Sequence, residues 1–168
     1  MNDSENETLA AVKEAYLALI ASQQTLMLST VNAMQQAEIS YAPYVQDSQG
    51  TFCIFVSQLA SHTGNLQRTG NGSVMFIREE SKSRNLFARE RLIYQCQTKE
   101  ILRTDPAYDE LLNQMQGRFG ETVALLRSLA DFHLIALVPT SGRYVAGFGK
   151  AYDLSLPDGM PVPVMRGG

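Results

Sequence analysis

The sequence predicts an α+β domain that is mainly β: a small antiparallel barrel with flanking helices. Three observations carry this expectation. Short apolar runs follow one another through residues 25–102 with turn residues between them, and no strand–helix–strand alternation appears that would build a parallel sheet. Helical spacing of apolar residues marks the start of the chain and returns after residue 105. The chain has 168 residues, 45% hydrophobic and 18% charged, enough for one domain to bury a core without disulfide staples.

Leu9, Val12, Tyr16, Leu19 and Ile20 recur at spacings of three and four, one face of a helix over residues 5–22. TLMLSTV (25–31) reads as a buried strand. EISYAPYV (38–45) reads as a second, with Pro43 placing it at an edge or bulge. The turn QDSQG leads into TFCIFV (51–56), rich in strand formers. Residues 73–78 and 91–102 continue the series, the latter with Leu92, Tyr94 and Cys96 on one face. At Asp105 and Pro106 a capping carboxylate and a proline suited to the first helical position open a helix to about Met115. Gly117 and Gly120 interrupt it, and a second helix spans 121–130. Residues 132–138 and 144–154 form a hairpin around PTSGR. The last residues, LPDGMPVPVMRGG, carry three prolines and three glycines and read as extended or loose. The expected organisation is an N-terminal helix (1–23), a barrel domain (24–155) that includes the helical pair at 105–130, and a flexible tail (156–168).

The net charge of −3 argues against a nucleic-acid binder that relies on bulk positive charge. Cys53 and Cys96 lie inside apolar runs and read as reduced core residues of a cytoplasmic protein. No C-x-x-C pair points to zinc. The opening MNDSENET is acidic, unlike a signal peptide, and no apolar run approaches the roughly 18 residues needed to span a membrane.

Four stretches could carry chemistry. In SQLASHTGNLQRTGNGSV (57–74), a strand hands over to small polar residues. There Ser57, Ser61, His62, Thr63 and Asn65 can point donors in one direction, and a helical turn would add free N–H groups to an anion site. The bland alternative is a serine-capped helix with a surface histidine. In SKSRNLFARER, Lys82, Arg84, Arg89 and Arg91 place four cations within ten residues, suited to phosphate or carboxylate, or else a solvated strand edge. In ADFHLIALVP, Asp131 could orient a ligand or imidazole, and His133 stands two residues on; a satisfied core histidine is the favoured reading of the latter. In GRYVAGFGKAY, Gly147 and Gly149 mark a bulge or close approach, without the third glycine of a dinucleotide fingerprint.

The phrases LSTVN, ISYAPYV, VSQLASHTGNL, LFARERLIY, MQGRFG, LADFHLIAL and RYVAGFGKAY, in this order from 24 to 152, resemble the haem-utilisation proteins. These belong to the pyridoxamine 5'-phosphate oxidase-like, FMN-binding split-barrel superfamily. The resemblance implies a six-stranded antiparallel split barrel, a homodimer, and a cofactor in the cleft between protomers. It implies that Ser57, Ser61, His62 and Asn65 hold the flavin phosphate and that Tyr41 and Ala42 line its ring. It sets Arg89 and Arg91 near the cofactor and gives Asp131 the orienting of an iron-binding histidine. Haem-utilising relatives carry that histidine in a C-terminal extension, and no histidine follows His133 in this sequence. An FMN-dependent oxidoreductase is therefore the leading expectation. The alternatives are haem binding or degradation, with His62 or His133 as the iron donor, and a non-catalytic cofactor-binding module.

Overall fold

The computed structural model of the chain describes residues 3–164. The outer ends of the expected N-terminal helix and tail, residues 1–2 and 165–168, lie outside the described residues. Helix α1 (Asp3–Ala21) leads into strands β1 (Thr25–Val31), β2 (Ala37–Gln46) and β3 (Phe52–Ser57). Helix α2 (Ser61–Thr69) and strand β4 (Asn71–Ile77) follow, then two 3-10 turns (Glu80–Lys82 and Leu86–Ala88) and β5 (Arg91–Ile101). Helices α3 (Ala107–Phe119) and α4 (Glu121–Arg127) precede β6 (Phe132–Gly147), β7 (Lys150–Ser155) and β8 (Met160–Pro163). The strand order is β3-β2-β1-β4-β5-β6-β7-β8, and β3 also pairs antiparallel with β6. That pairing closes β1–β6 into the expected six-stranded antiparallel barrel.

By internal packing the chain forms two compact units, one of residues 25–73 and 96–139, the other of residues up to 24 with 74–95 and 140 onward. In the first, β3 is buried on both faces, which explains its unbroken apolar run. Cys53 and Phe55 pack with Leu112, Met115, Val123 and Leu134 in a core that α3 and α4 cover. Asp105 opens α3 as expected: its Oδ1 accepts from the Ala107 N–H at 2.9 Å.

In the second unit, Tyr16 and Tyr144 are fully buried with ring centroids 5.8 Å apart. Tyr16 donates to the Gly159 carbonyl at 2.7 Å, tying α1 to the β7–β8 turn. Tyr144 donates to Glu90 Oε1 at 2.6 Å, and Glu90 pairs with Arg78.

Several expectations are corrected: β2 is an interior strand between β1 and β3, with Pro43 paired to Thr25 in unbroken register, and α3 runs through Gly117 to Phe119. PTSGR is no hairpin turn: β6 runs through it without a break, and the chain reverses at Phe148 and Gly149, where Gly149 takes φ +71°. Gly142 serves a close approach instead, since a Cβ there would stand 2.7 Å from the Tyr94 ring. The tail is not loose throughout, because Met160–Pro163 pairs with β7. The helical turn expected after β3 extends to a nine-residue helix, and no serine caps it.

Cys53 and Cys96 are free and buried, and burial pushes each thiol up to about 12. Neither is expected to react with a thiol-specific disulfide reagent at pH 8 in the folded protein. Both should react fully once it is unfolded in denaturant.

Candidate functional site

Strand β3 ends at Ser57, opposite Phe132, the first residue of β6. Asp131 therefore lies beside the β3–α2 junction. Ser57 Oγ donates to Asp131 Oδ2 at 2.7 Å and accepts from the Leu59 N–H at 3.1 Å. The Ser57 carbonyl accepts from Thr63 Oγ1 at 2.6 Å, and the Gln58 N–H donates to the Asp131 carbonyl at 2.7 Å. No side chain caps the N-terminus of α2, where Ala60 takes the capping position.

Asn65 faces inward from α2 and is buried. Its amide donates to Thr30 Oγ1 at 3.1 Å and to Glu38 Oε2 at 2.9 Å. Asn32 donates to Glu38 Oε1 at 3.1 Å. Hydrogen bonds from Asn32, Ser61 and Asn65 hold the Glu38 carboxyl below the ordinary carboxylate range. The donors expected to hold a cofactor anion, Ser57, Ser61 and Asn65, thus already serve two carboxylates of the chain, Asp131 and Glu38.

Burial lowers the pKa of His62 below its ordinary 6.5, so the imidazole is neutral at pH 7. Its Nε2 is buried without a hydrogen-bond partner, alone in this among the described side chains. His133 lies on β6 with Nδ1 2.6 Å from Glu100 Oε1. Gln67 donates to Glu100 Oε2 at 3.2 Å, and a cavity of about 160 Å³ opens there between Leu66, Thr98, Glu100 and Ile135. The carboxylate beside His133 is therefore Glu100, whereas Asp131 is engaged by Ser57.

Tyr41 and Ala42 are neighbours on β2 and face opposite ways: Tyr41 is 68% exposed and Ala42 is buried. Only the Tyr41 side chain stands on the open face. Arg89 and Arg91 belong to the second unit. Arg89 donates through Nε and Nη2 to the Arg78 carbonyl and through Nη1 to Glu80, and Arg91 donates to the Arg89 carbonyl at 3.1 Å. Among the described residues, no group of three or more His, Cys, Asp or Glu side chains could hold a metal ion, and no helix is long and apolar enough to cross a membrane.

The sequence pattern of the pyridoxamine 5'-phosphate oxidase family matches residues 12–146. Heme oxygenase HutZ of Vibrio cholerae is 38% identical over 133 residues, which cover 79% of this chain and 75% of that protein. The chain belongs to the pyridoxamine 5'-phosphate oxidase family, in its haem-utilisation branch. A crystal structure of HutZ, the heme storage protein of Vibrio cholerae, superimposes with a TM-score of 0.70 at 33% identity, covering 75% of this chain and 88% of that one. Campylobacter jejuni ChuZ superimposes with a TM-score of 0.80 at 29% identity, over 91% of this chain and 63% of that one. A Clostridium acetobutylicum pyridoxinephosphate oxidase family protein, related to general stress protein 26, shares the fold at 12% identity, with a TM-score of 0.62 over 87% of this chain and 95% of that one.

Within this family member, Glu38 and Glu100 are the residues that sequence reading missed. Both carried a faint signal. Glu38 alternates with the core residues Ala42 and Tyr44 on β2, and Glu100 with Leu92, Tyr94 and Cys96 on β5. A carboxylate on the inward face of a strand needs a partner, and each has one.

Proposed function

We propose that this family member binds haem in iron utilisation and does not hold FMN. The observation that carries the proposal is the 38% identity to heme oxygenase HutZ across most of both chains. The geometry of the expected phosphate site supports it. A flavin phosphate at Ser57–Asn65 would meet hydroxyl and amide donors already bonded to Asp131 and Glu38, and it would face both negative charges with no lysine or arginine among those donors. These side chains therefore offer a phosphate few free donors. His62 is the candidate iron donor, its imidazole neutral and its buried Nε2 without a hydrogen-bond partner in the chain.

Haem, when bound, supplies iron-centred redox chemistry; the chain supplies the imidazole, its orientation and an apolar surface. Two copies of the chain pair through the outer face of β1 and β2, where Met27, Val31, Ile39 and Tyr41 are exposed. The Ser57–Asp131 pair fixes the turn from which α2 presents His62.

The test is an absorption titration of the purified protein with haemin and, separately, with FMN. A stoichiometric Soret shift with haemin and no saturable response to FMN is expected. His62→Ala should weaken haemin binding by roughly 10-fold or more and change the Soret position. Tight FMN binding would overturn the proposal. Loss of the haemin spectrum in His133→Ala, with His62→Ala unaffected, would move the iron ligand to the imidazole held by Glu100.

A further inference from the structure

The connection between β4 and β5 and the tip of the β6–β7 hairpin enclose a cavity of about 250 Å³ within the second unit. Four cations line it, Arg78, Lys82, Arg84 and Arg89, against one carboxylate, Glu90. The lining is thus three charges positive in a chain whose net charge is −3. We propose that this cavity is a binding site for a small phosphate anion, a ligand other than haem.

The local charges are arranged to leave positive potential unspent. Glu90 is shared between Arg78 and the Tyr144 hydroxyl, so it cannot neutralise the other three cations. Lys82 and Arg89 are countered by Glu79 and Glu80, each at 3.2 Å, and both carboxylates are largely exposed. The exposed Lys82–Glu79 pair is weak and exchanges readily for a multiply charged anion, while Arg89 stays anchored on the Arg78 carbonyl and adds fixed charge. Arg84 has no hydrogen-bond or ion-pair partner among the described residues, and its planar guanidinium suits two oxygens of a phosphate. Asn85 spends its carbonyl oxygen on the Phe87 N–H at 3.0 Å, which leaves its amide N–H groups to donate.

Shape and polarity select for size. The register of β6 against β7 shifts between Val145 and Gly147, and no atom stands within 4 Å of where a Gly147 Cβ would lie. Phe148, 74% exposed, adds an apolar ring to the lining. A volume of 250 Å³ is below the roughly 300–1,000 Å³ of pockets that enclose whole organic ligands. It suits a small oxyanion, or the phosphate end of a larger molecule whose body stays outside.

The test is calorimetric titration of the full chain with inorganic pyrophosphate at low ionic strength, with succinate as the carboxylate comparison. Saturable 1:1 binding of pyrophosphate, tighter than succinate and weakened by added salt, is expected. Arg84→Gln lies on an exposed turn, so the fold should survive it, and it should weaken pyrophosphate by about tenfold while leaving haemin binding unchanged. Glycerol phosphate and vesicles containing phosphatidic acid distinguish a soluble ester from a lipid headgroup as the source of the phosphate. No binding of any of the four phosphate and carboxylate probes, equal binding of succinate and pyrophosphate, or affinity indifferent to Arg84→Gln would overturn the proposal.

Discussion

Replacing Ile39 with glutamate is expected to turn a dimer into a monomer. Strands β1 and β2 alternate, so one face of each enters the core and the other faces out. On the outer face, Met27 stands opposite Tyr41, Ser29 opposite Ile39, and Val31 opposite Ala37. Ile39 is 76% exposed and Tyr41 68%. That row of contiguous apolar groups carries no charge, unlike the scattered apolar residues of an ordinary surface. A second copy covering it would bury both large side chains. A carboxylate at position 39 would then lie in the interface without a partner, costing at least about 3 kcal/mol and weakening association more than about 100-fold. Light scattering after size exclusion measures the mass directly. Wild type should read as a dimer and Ile39→Glu as a monomer with an unchanged circular dichroism spectrum. A monomeric wild type, or a dimer that tolerates Ile39→Glu, would rule this face out as the interface.

The parts of the fold that were legible in the sequence are those decided by local pattern. Short apolar runs marked β1 and β2, alternation marked β5, and the Asp105–Pro106 signal marked the start of α3. The parts that were not legible depend on residues far away in the chain. Gly142 looked like a turn residue because the Tyr94 ring it must clear is 48 positions earlier, and the prolines at 161 and 163 looked like a loose tail because β7 provides the pairing. The candidate site divides the same way. Ser57 and Asn65 were recognisable as oriented donors. What they donate to, Asp131 and Glu38, lies 74 and 27 residues away, and only the folded chain shows that carboxylates occupy those donors. A cluster of polar side chains after a strand is therefore ambiguous from sequence: the same residues can await a ligand anion or hold an internal one.

Asn65 separates these two roles by experiment. If its amide holds Thr30 and Glu38 together, Asn65→Ala leaves a buried hydroxyl and a carboxylate short of a donor. Unfolding free energy should fall by about 2 kcal/mol, and the melting temperature by roughly 4–8 °C for a chain of this size. The pH dependence carries a second signature. The Glu38 carboxyl is held below its ordinary 4.5 in the folded state, so its contribution is present above that value and is lost as pH falls through the folded pKa. The deficit of Asn65→Ala should accordingly be full at pH 7 and shrink below pH 4.5. Asn65→Asp is expected to be worse than alanine at pH 7, because it sets a carboxylate against Glu38 in place of a donor, and to recover part of its stability on acidification. Thermal melts across pH 3–8 measure all three proteins. A melt unchanged by Asn65→Ala would instead make the amide a free donor, available to a cofactor anion, and would reopen FMN as the ligand of α2.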